Sequence, residues 1–222
     1  CPRRTLPCPN NYDCIFLVMV RNSSDMTRFL DPFMQLYGEY IQEKEIVTFL
    51  TAHRLNQRFL FEGKTRLDIY YPILPEDYKL DQTDKKILGI ISINARIQLI
   101  DIAKQIGVDN KVVKYRLKKL EKDRIILAYV TSPNFDKLSL QFIQINISLM
   151  DTTIKKEVID YFDSTNKCLF AIELLGKYDL TIEIHVENNE KLNEIIDGFR
   201  NKFVNKYNDY NISVITKEHA MV

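Results

Sequence analysis

The chain has 222 residues, 45% of them hydrophobic, and a formal net charge of +1 at pH 7. This length gives room for one large domain or two ordinary domains with proper cores. The near-neutral charge argues against a protein whose whole surface binds polyanions, so any nucleic-acid contact has to be local. No apolar run approaches the roughly 20 residues of a membrane-spanning helix, and no secretory signal opens the chain.

The cysteines are unevenly spread, and their spacing does not resemble a metal site. They are Cys1, Cys8, Cys14 and Cys168. Because no Cys-x-x-Cys pair or neighbouring histidine accompanies them, the sequence predicts free thiols in a reducing cytoplasm rather than a zinc site. The first residue is Cys rather than Met, which is typical of a fragment or a processed product.

The first 75 residues predict a β-α-β unit that is followed by a hairpin and a linker. The predicted elements are a strand over residues 12–20, a helix over 25–41, a strand over 46–50 and a hairpin within 55–71. Glu62 and Gly63 would form the hairpin turn, and the two prolines that follow mark the linker. A β-α-β unit of this size buries too little surface to be stable alone.

Residues 80–129 predict three short helices, the last two joined by a tight turn. Gly107 ends the second helix because glycine readily takes a positive φ, and Asp109 caps the third helix with its carboxylate. The third helix, over residues 110–122, has an apolar face made of Val113, Leu117 and Leu120. This pattern is typical of a helix-turn-helix, and an extended apolar run at 125–130 predicts a wing or an exit strand.

A basic stripe lies on another side of the third helix. Residues 111–124 hold seven Lys or Arg against two acids, a local excess of five positive charges in a chain whose total is +1. Lysines can merely solvate an outer helix face, but a cationic patch beside a capped helix is what phosphate contact requires. The predicted DNA-binding residues are Arg96, Lys111, Lys114, Tyr115, Lys118, Lys119 and Lys122.

Five short motifs in this helical segment carry a resemblance to a known family. They are Leu80-Asp81-x-x-Asp84-x-x-Ile87-Leu88, Asn94-Ala95-Arg96, Ile102-Ala103, Gly107-Val108 and Val113-x-x-Arg116-Leu117-x-x-Leu120-Glu121. Together they resemble the winged helix-turn-helix of the Lrp/AsnC family of bacterial and archaeal transcriptional regulators. Two positions differ from the family pattern, since Asp109 stands where Ser is usual and Arg124 where Gly is usual. The resemblance implies a regulator that binds double-stranded DNA as a dimer or higher oligomer.

The last third of the chain predicts a second domain. Residues 141–149 and 180–186 alternate between apolar and polar side chains, as half-buried strands do. The predicted order is a strand over 141–149, a helix over 152–162, strands over 168–175 and 180–186, a helix over 192–207 and a strand over 212–216. This β-α-β-β-α-β order is that of a ferredoxin-like sandwich. In the Lrp/AsnC family a domain of this order, the RAM domain, senses the effector and joins the subunits.

The sequence Gly176-Lys177-Tyr178-Asp179 joins two of these strands. A two-residue hairpin loop explains it, with Gly176 taking the positive φ of a type II′ turn. In the family a turn of this kind borders an amino-acid pocket between subunits, so the resemblance implies effector-binding roles for Gly176, Lys177, Tyr178 and Asp179. Backbone N–H groups of the turn would hold a carboxylate, and Asp179 would hold an ammonium group.

The first β-α-β unit also resembles the second half of the ferredoxin-like domain at an offset of 166 residues. Matching pairs at this offset are Tyr12 and Tyr178, Asp13 and Asp179, Val20 and Val186, Asn22 and Asn188, Phe33 and Phe199, Ile46 and Ile212, and His53 and His219. Chance similarity between two short units is the alternative. The repeat implies a partial copy of the sensing domain, whose own DNA-binding unit lies upstream or has been lost.

The predicted fold class is therefore α+β, with a winged helix-turn-helix followed by a ferredoxin-like domain and preceded by a partial copy of the latter. The expected parts are a partial RAM-like unit with hairpin and linker over 1–75, a winged helix-turn-helix over 80–130, and a RAM-like sensing and oligomerisation domain over 131–222. The expected partners of this cytoplasmic regulator are double-stranded DNA, a small effector such as an amino acid, and further copies of itself. No cofactor, metal or membrane is expected.

An enzyme is the alternative to a regulator. Siroheme decarboxylases resemble the same two-domain plan, but they would need basic and histidine side chains along a large tetrapyrrole cleft. The three histidines, His53, His185 and His219, are instead expected at the surface or at an interface. Asp81 and Asp84 are explained by helix capping rather than by a catalytic pair of carboxylates.

Overall fold

The computed structural model describes residues 12–20, 22–55, 69–71, 78–130 and 136–217. Outside these residues lie the predicted hairpin turn at Glu62 and Gly63, the linker after it, Cys1, Cys8 and His219. The helices are α1 (Ser23–Tyr37), α2 (Gln82–Ile93), α3 (Leu99–Ile106), α4 (Asn110–Lys122), α5 (Lys155–Ser164) and α6 (Asn189–Lys202). The strands are β1 (Thr48–Arg54), β2 (Ile69–Tyr71), β3 (Gln141–Leu149), β4 (Cys168–Leu175), β5 (Leu180–Val186) and β6 (Tyr207–Ile215).

The described strands form one antiparallel sheet in the order β2-β1-β4-β5-β3-β6. Helices α5 and α6 pack against one face of this sheet. From β3 to β6 the chain has the β-α-β-β-α-β order, and the three helices α2, α3 and α4 precede it. The predicted α+β class and the ferredoxin-like order are confirmed, and β3, β4 and β5 have the predicted bounds.

The main core lies between the sheet and helices α5 and α6. Ile145 of β3 stands opposite Ile182 of β5, and both side chains are fully buried. Phe162 of α5 packs on Phe199 of α6 with ring centroids 5.5 Å apart. Each fully buried side chain of this size contributes about 1.5–3 kcal/mol relative to exposure, so this core holds α5 and α6 against strands β3 to β6.

Polar side chains on the opposite face of the sheet are also buried, which corrects the expectation for His185. This residue is 1% exposed, because the ring of Phe142 on the neighbouring strand stacks on it with centroids 4.9 Å apart. Burial lowers the pKa of His185 to about 4, so the imidazole is neutral at pH 7. His53 is half-buried, with Nε2 3.6 Å from a carboxylate oxygen of Glu173.

The N-terminal unit differs from its prediction. Residues 12–20 form no strand, and Leu17 and Met19 are 68% and 89% exposed. The second predicted strand is displaced from 46–50 to β1, which pairs with β4 so that Ala52 stands opposite Ile172. A half-domain lacks the central strand with which its two predicted strands would pair. The edge of β4 is available for pairing, and β1 forms backbone hydrogen bonds with it.

The last helix also differs from its prediction. It ends at Lys202 instead of 207, because Asn205 takes a left-handed φ of 59° and the chain turns into β6 at Tyr207. Most of the predicted hairpin over 55–71 lies outside the described residues. On either side of that gap, β1 and β2 are antiparallel with His53 opposite Tyr70.

Candidate nucleic-acid interface

Helices α2, α3 and α4 form a small domain around a core of their own. The side chains buried in this core are Ile87, Ile91, Ile102, Ala103, Val113 and Leu117. Val113 is fully buried and Leu120 is 1% exposed, so the predicted apolar face of α4 is confirmed. The opposite side of α4 therefore faces solvent.

Local capping bonds define the ends of these helices as predicted. Asp81 accepts a hydrogen bond from the backbone N–H of Asp84 at 2.8 Å, and the Asp84 side chain accepts one from the N–H of Asp81, which is a capping box. Asp109 caps α4 by accepting from the N–H of Lys111 at 2.7 Å. Gly107 ends α3 with a left-handed φ of 73°. An aspartate thus serves as the cap where the family usually has serine.

Arg116 is half-buried and forms ion pairs within the helical domain. Its guanidinium lies 2.5 Å from a carboxylate oxygen of Asp81 and 3.3 Å from Asp84, which is 4% exposed. The hydrogen bond to Asp81 raises the pKa of Arg116. The pKa of Asp81 is lowered, first by the backbone hydrogen bond from Asp84 at the cap and then by Arg116. The pair fixes α4 to the start of α2. The sequence analysis did not predict this role of Arg116. The signal available in the sequence was the pair of capping acids, Asp81 and Asp84, since two neighbouring carboxylates favour a nearby cation.

Arg124 occupies the left-handed position that ends α4. Its φ is 58°, and the N–H groups of Arg124 and Ile125 donate to the carbonyl oxygens of Glu121 and Leu120. Paired closing bonds of this kind usually involve glycine, because a β-carbon is unfavourable at positive φ. The Arg in place of the family's Gly therefore keeps the turn but adds backbone strain.

The predicted DNA-binding side chains are all exposed, and those of α4 lie on one side of that helix. Those on α4 are Lys111, Lys114, Tyr115, Lys118, Lys119 and Lys122. At 100° per residue they span about 140° of the helix circumference, opposite the buried face. Arg96 is exposed in the turn between α2 and α3, where its N–H donates to Asn94 Oδ1 at 3.0 Å. Five ammonium groups on one helix face form a surface that can contact several phosphates.

Tyrosine hydroxyls bind the two acids at the end of this basic face. Tyr129 donates to Glu121 at 2.9 Å, and Tyr78 donates to Asp123 at 2.8 Å. Burial and the bond to Glu121 raise the pKa of Tyr129 to about 12, and the bond to Asp123 raises that of Tyr78. The carboxylates are thereby directed toward the tyrosines at the end of the helix.

No strand is assigned to residues 125–130, so the extended wing expected there is not regular β-structure in this part of the chain. Ile126 instead packs against the core of the helical domain. Its N–H donates to the carbonyl oxygen of Leu120 at 3.1 Å, which keeps the chain close to the end of α4. The segment after α4 therefore adds Ile126 to the core of the helical domain and does not pair as a strand.

The turn after β4 is longer than the predicted two-residue loop. The N–H of Leu174 donates to the carbonyl oxygen of Asp179 at 2.9 Å, so four residues lie within the loop. Gly176 has a φ of 139°, a positive value as predicted. The Asp179 carboxylate accepts from the N–H of Leu149 at 2.8 Å, and Tyr178 is 3% exposed. The four predicted effector residues are contiguous, but Asp179 also holds the loop against β3 through its backbone N–H and its carboxylate.

Comparison with known proteins agrees with the geometry of the helical domain. Residues 80–126 match the family described as winged helix-turn-helix DNA-binding. The chain carries a winged helix-turn-helix. It is 28% identical over 142 residues to an uncharacterized HTH-type transcriptional regulator of Pyrococcus abyssi, covering 63% of this chain and 95% of the relative. It is 25% identical over 140 residues to the HTH-type transcriptional regulator LrpB of Bacillus subtilis, covering 63% and 91%.

Solved structures share the fold at lower identity. The structure of AsnC from E. coli matches with a TM-score of 0.56 and 19% identity, over 65% of this chain and 97% of that one. The transcriptional regulator NMB0573 of Neisseria meningitidis, solved as an L-Met complex, matches with a TM-score of 0.54 and 20% identity, over 64% and 94%. The resemblance to regulators of the Lrp/AsnC type is thus confirmed, and none of these proteins is described as a decarboxylase.

The described residues contain neither a cluster of metal-ligating side chains nor a membrane-spanning helix. They hold no group of three or more His, Cys, Asp or Glu side chains that could bind a metal ion. None of the helices in the described ranges has both the length and the apolar character needed to cross a bilayer.

Proposed function

We propose that this protein is a sequence-specific transcriptional regulator of the Lrp/AsnC type that inserts α4 into the major groove of double-stranded DNA. The observation that supports this most directly is the exposed lysine face of α4, on a helix that is capped at Asp109 and held to α2 through Arg116. A rigid helix with cations on its free side meets the two requirements of groove binding, which are phosphate contact and fixed orientation.

The DNA experiment compares two variants with equal changes of charge. Genomic fragments retained by the intact protein provide the target, and binding to it is measured between 50 and 200 mM salt. Replacing Lys111, Lys114 and Lys118 by Ala should weaken binding to all sequences and reduce the salt slope by up to about one unit per lost phosphate contact. The control replaces Lys156, Lys191 and Lys202, which lie on α5 and α6. Equal salt slopes in the two variants would contradict the proposal.

We further propose that the loop from Gly176 to Asp179 borders a site for an amino acid. Support comes from the contiguous loop residues and from the neighbouring N. meningitidis regulator, whose structure contains L-Met. Asp179→Asn is the sharper variant, because an amide oxygen can still accept from Leu149 while the charge that would face an ammonium is lost. Calorimetry with the common amino acids should find one ligand that binds the parent and fails to bind Asp179→Asn.

We also propose the three-part organisation over residues 1–75, 80–130 and 131–222, and assembly into a dimer or higher oligomer in the cytoplasm. A symmetric dimer would place two copies of α4 about one duplex turn apart. The partial-copy origin of the first unit is supported by α1, which matches α6 at the offset of 166 residues, whereas the strands around it do not match. Sedimentation of the intact protein tests the assembly, and a monomer at micromolar concentration would contradict it.

A further inference from the structure

A segment of the N-terminal unit lies directly on the loop between β4 and β5. Because β1 is antiparallel to β4 with Thr48 opposite Leu175, the residues before β1 pass beside those that follow Leu175. A β-carbon added to Gly176 would lie 3.3 Å from Val47 Cγ1 and 3.5 Å from the carbonyl oxygen of Ile46. The two segments are therefore in van der Waals contact, and Gly176 is the residue that permits it.

The carboxylate of Glu45 joins the two segments. Its Oε2 accepts a hydrogen bond from the Lys177 ammonium at 2.9 Å and another from the Tyr12 hydroxyl at 2.8 Å. The Tyr12 hydroxyl also lies 3.4 Å from that of Tyr178. The pairing with Glu45 raises the pKa of Lys177, while burial and then the bonds to Tyr178 and Glu45 raise that of Tyr12. Both donors thus keep their protons at neutral pH.

Two features weaken the contact between Glu45 and Lys177, so that the two side chains can separate. Within the described residues, the second carboxylate oxygen of Glu45 is buried and has no hydrogen-bond partner. Leaving a buried acceptor without a partner raises the free energy of the closed arrangement. Lys177 is 55% exposed, so water screens its attraction to Glu45. The β1 ladder keeps the segment near the loop while the carboxylate contact itself stays weak.

We propose that residues 45–47, together with Tyr12, act as a lid on this loop, with the Glu45 carboxylate paired with Lys177 in place of the carboxylate of a small ligand. The inference rests on the proposed function of the loop as an amino-acid site, and it names Lys177 as the group that receives the ligand carboxylate. A ligand that reaches Lys177 has to displace Glu45. Its apparent affinity is then the intrinsic affinity reduced by the fraction of molecules in which the lid is open.

The test compares the full parent chain with two single-residue variants, whose substituted positions are two residues apart. Glu45→Gln removes the charge and keeps the size, and Glu43→Gln removes the charge of an exposed acid on the same segment. Calorimetry with each common amino acid and hydrogen exchange of the Leu174–Leu180 peptide are measured on all three proteins. We expect Glu45→Gln to bind the ligand about two- to fivefold more tightly and to exchange the loop amides faster, and Glu43→Gln to match the parent.

Two results would overturn the lid. One is loop exchange in Glu45→Gln that equals that of the parent, and the other is ligand affinity in Glu45→Gln that is equal or weaker. If no amino acid binds any of the three proteins, the effector site is wrong, and the exchange comparison alone decides whether the lid exists. If Glu45→Gln does not fold, Tyr12→Phe, which removes the hydroxyl bonded to Glu45, is measured in the same two ways.

Discussion

Helices α1 and α6 begin in the same way but lie in different environments. Their N-caps, Asn22 and Asn188, have nearly equal backbone angles (φ −161° and −164°, ψ 174° for both). Each side chain accepts from the N–H three residues later, at 3.0 and 2.9 Å. Yet α6 buries four apolar side chains, whereas α1 buries none among the described residues. Local sequence thus suffices to start a helix, and burial depends on the surface that the rest of the fold offers.

The segments before these helices differ in the same sense. β5 lies between β4 and β3, and His185 within it is 1% exposed. Met19, which matches His185 at the offset of 166 residues, is 89% exposed. Residues 12–20 do not pair with any strand of the sheet. The difference shows that the burial of a segment depends on the strands beside it and the helices packed on it, and not on its own hydrophobicity alone.

The largest expected effect comes from truncating the matched phenylalanines of the two helices. Phe199→Ala should lower the free energy of unfolding of the sheet domain by about 3–5 kcal/mol, because the side chain is fully buried. Phe33→Ala should cost about 1 kcal/mol or less, since Phe33 is only half-buried beside Phe16 and Tyr37. Urea denaturation monitored by circular dichroism measures both. Equal losses would mean that α1 is packed in solution as firmly as α6.

An intermediate effect should come from pH, through His185. Its folded pKa of about 4 lies below its ordinary value of 6.5, so the unfolded chain binds a proton that the folded domain excludes. Stability is then complete above pH 6.5 and falls as the pH drops toward 4, by about 2 kcal/mol between pH 7 and 5.

Two variants separate this effect from general acid sensitivity. His185→Gln should remove most of the pH dependence of unfolding between pH 7 and 5. Met19→His places an imidazole at the matched but exposed position, where its pKa should stay ordinary and the profile should not change. A profile that Met19→His alters as strongly as His185→Gln would contradict the contrast between the two segments.

The smallest effect concerns the caps. Asn188→Ala and Asn22→Ala each remove the same side-chain bond and should each cost about 1 kcal/mol locally. Because α6 belongs to the core, the first loss should appear in the global unfolding of the domain. The second should appear only as faster hydrogen exchange within α1. Global destabilisation by Asn22→Ala would show that α1 unfolds together with the sheet.

Sequence patterns predicted the features whose causes are local. The alternation in β3 and β5 gave their bounds, and Asp81, Asp109 and Gly107 gave the ends of the helices around the DNA-binding face. Hydrogen bonds that span two to four residues decide these features, so a short stretch of sequence contains all the participants.

Contacts between distant segments were not predictable in this way. Nothing in residues 48–54 indicates that they pair with β4, more than a hundred positions later, rather than with a strand of their own unit. Arg116 entered the sequence analysis only through the local charge count and a family motif, because its partners Asp81 and Asp84 lie at the start of another helix. No role was predicted for Glu45, because its partners Lys177 and Tyr12 are distant in sequence and are brought together only in the folded chain.

The strand order also determines how the DNA-binding helices are attached. They lie in the chain between β2 and β3, and both strands belong to the same sheet with β1, β4 and β5 between them. At about 4.8 Å per strand, β2 and β3 lie about 19 Å apart across the sheet. A domain on a single linker swivels about one hinge, whereas one anchored at two separated points has to twist both connections to rotate. Because α2, α3 and α4 are joined to two different strands of one sheet, any rotation of the helical domain involves both connections.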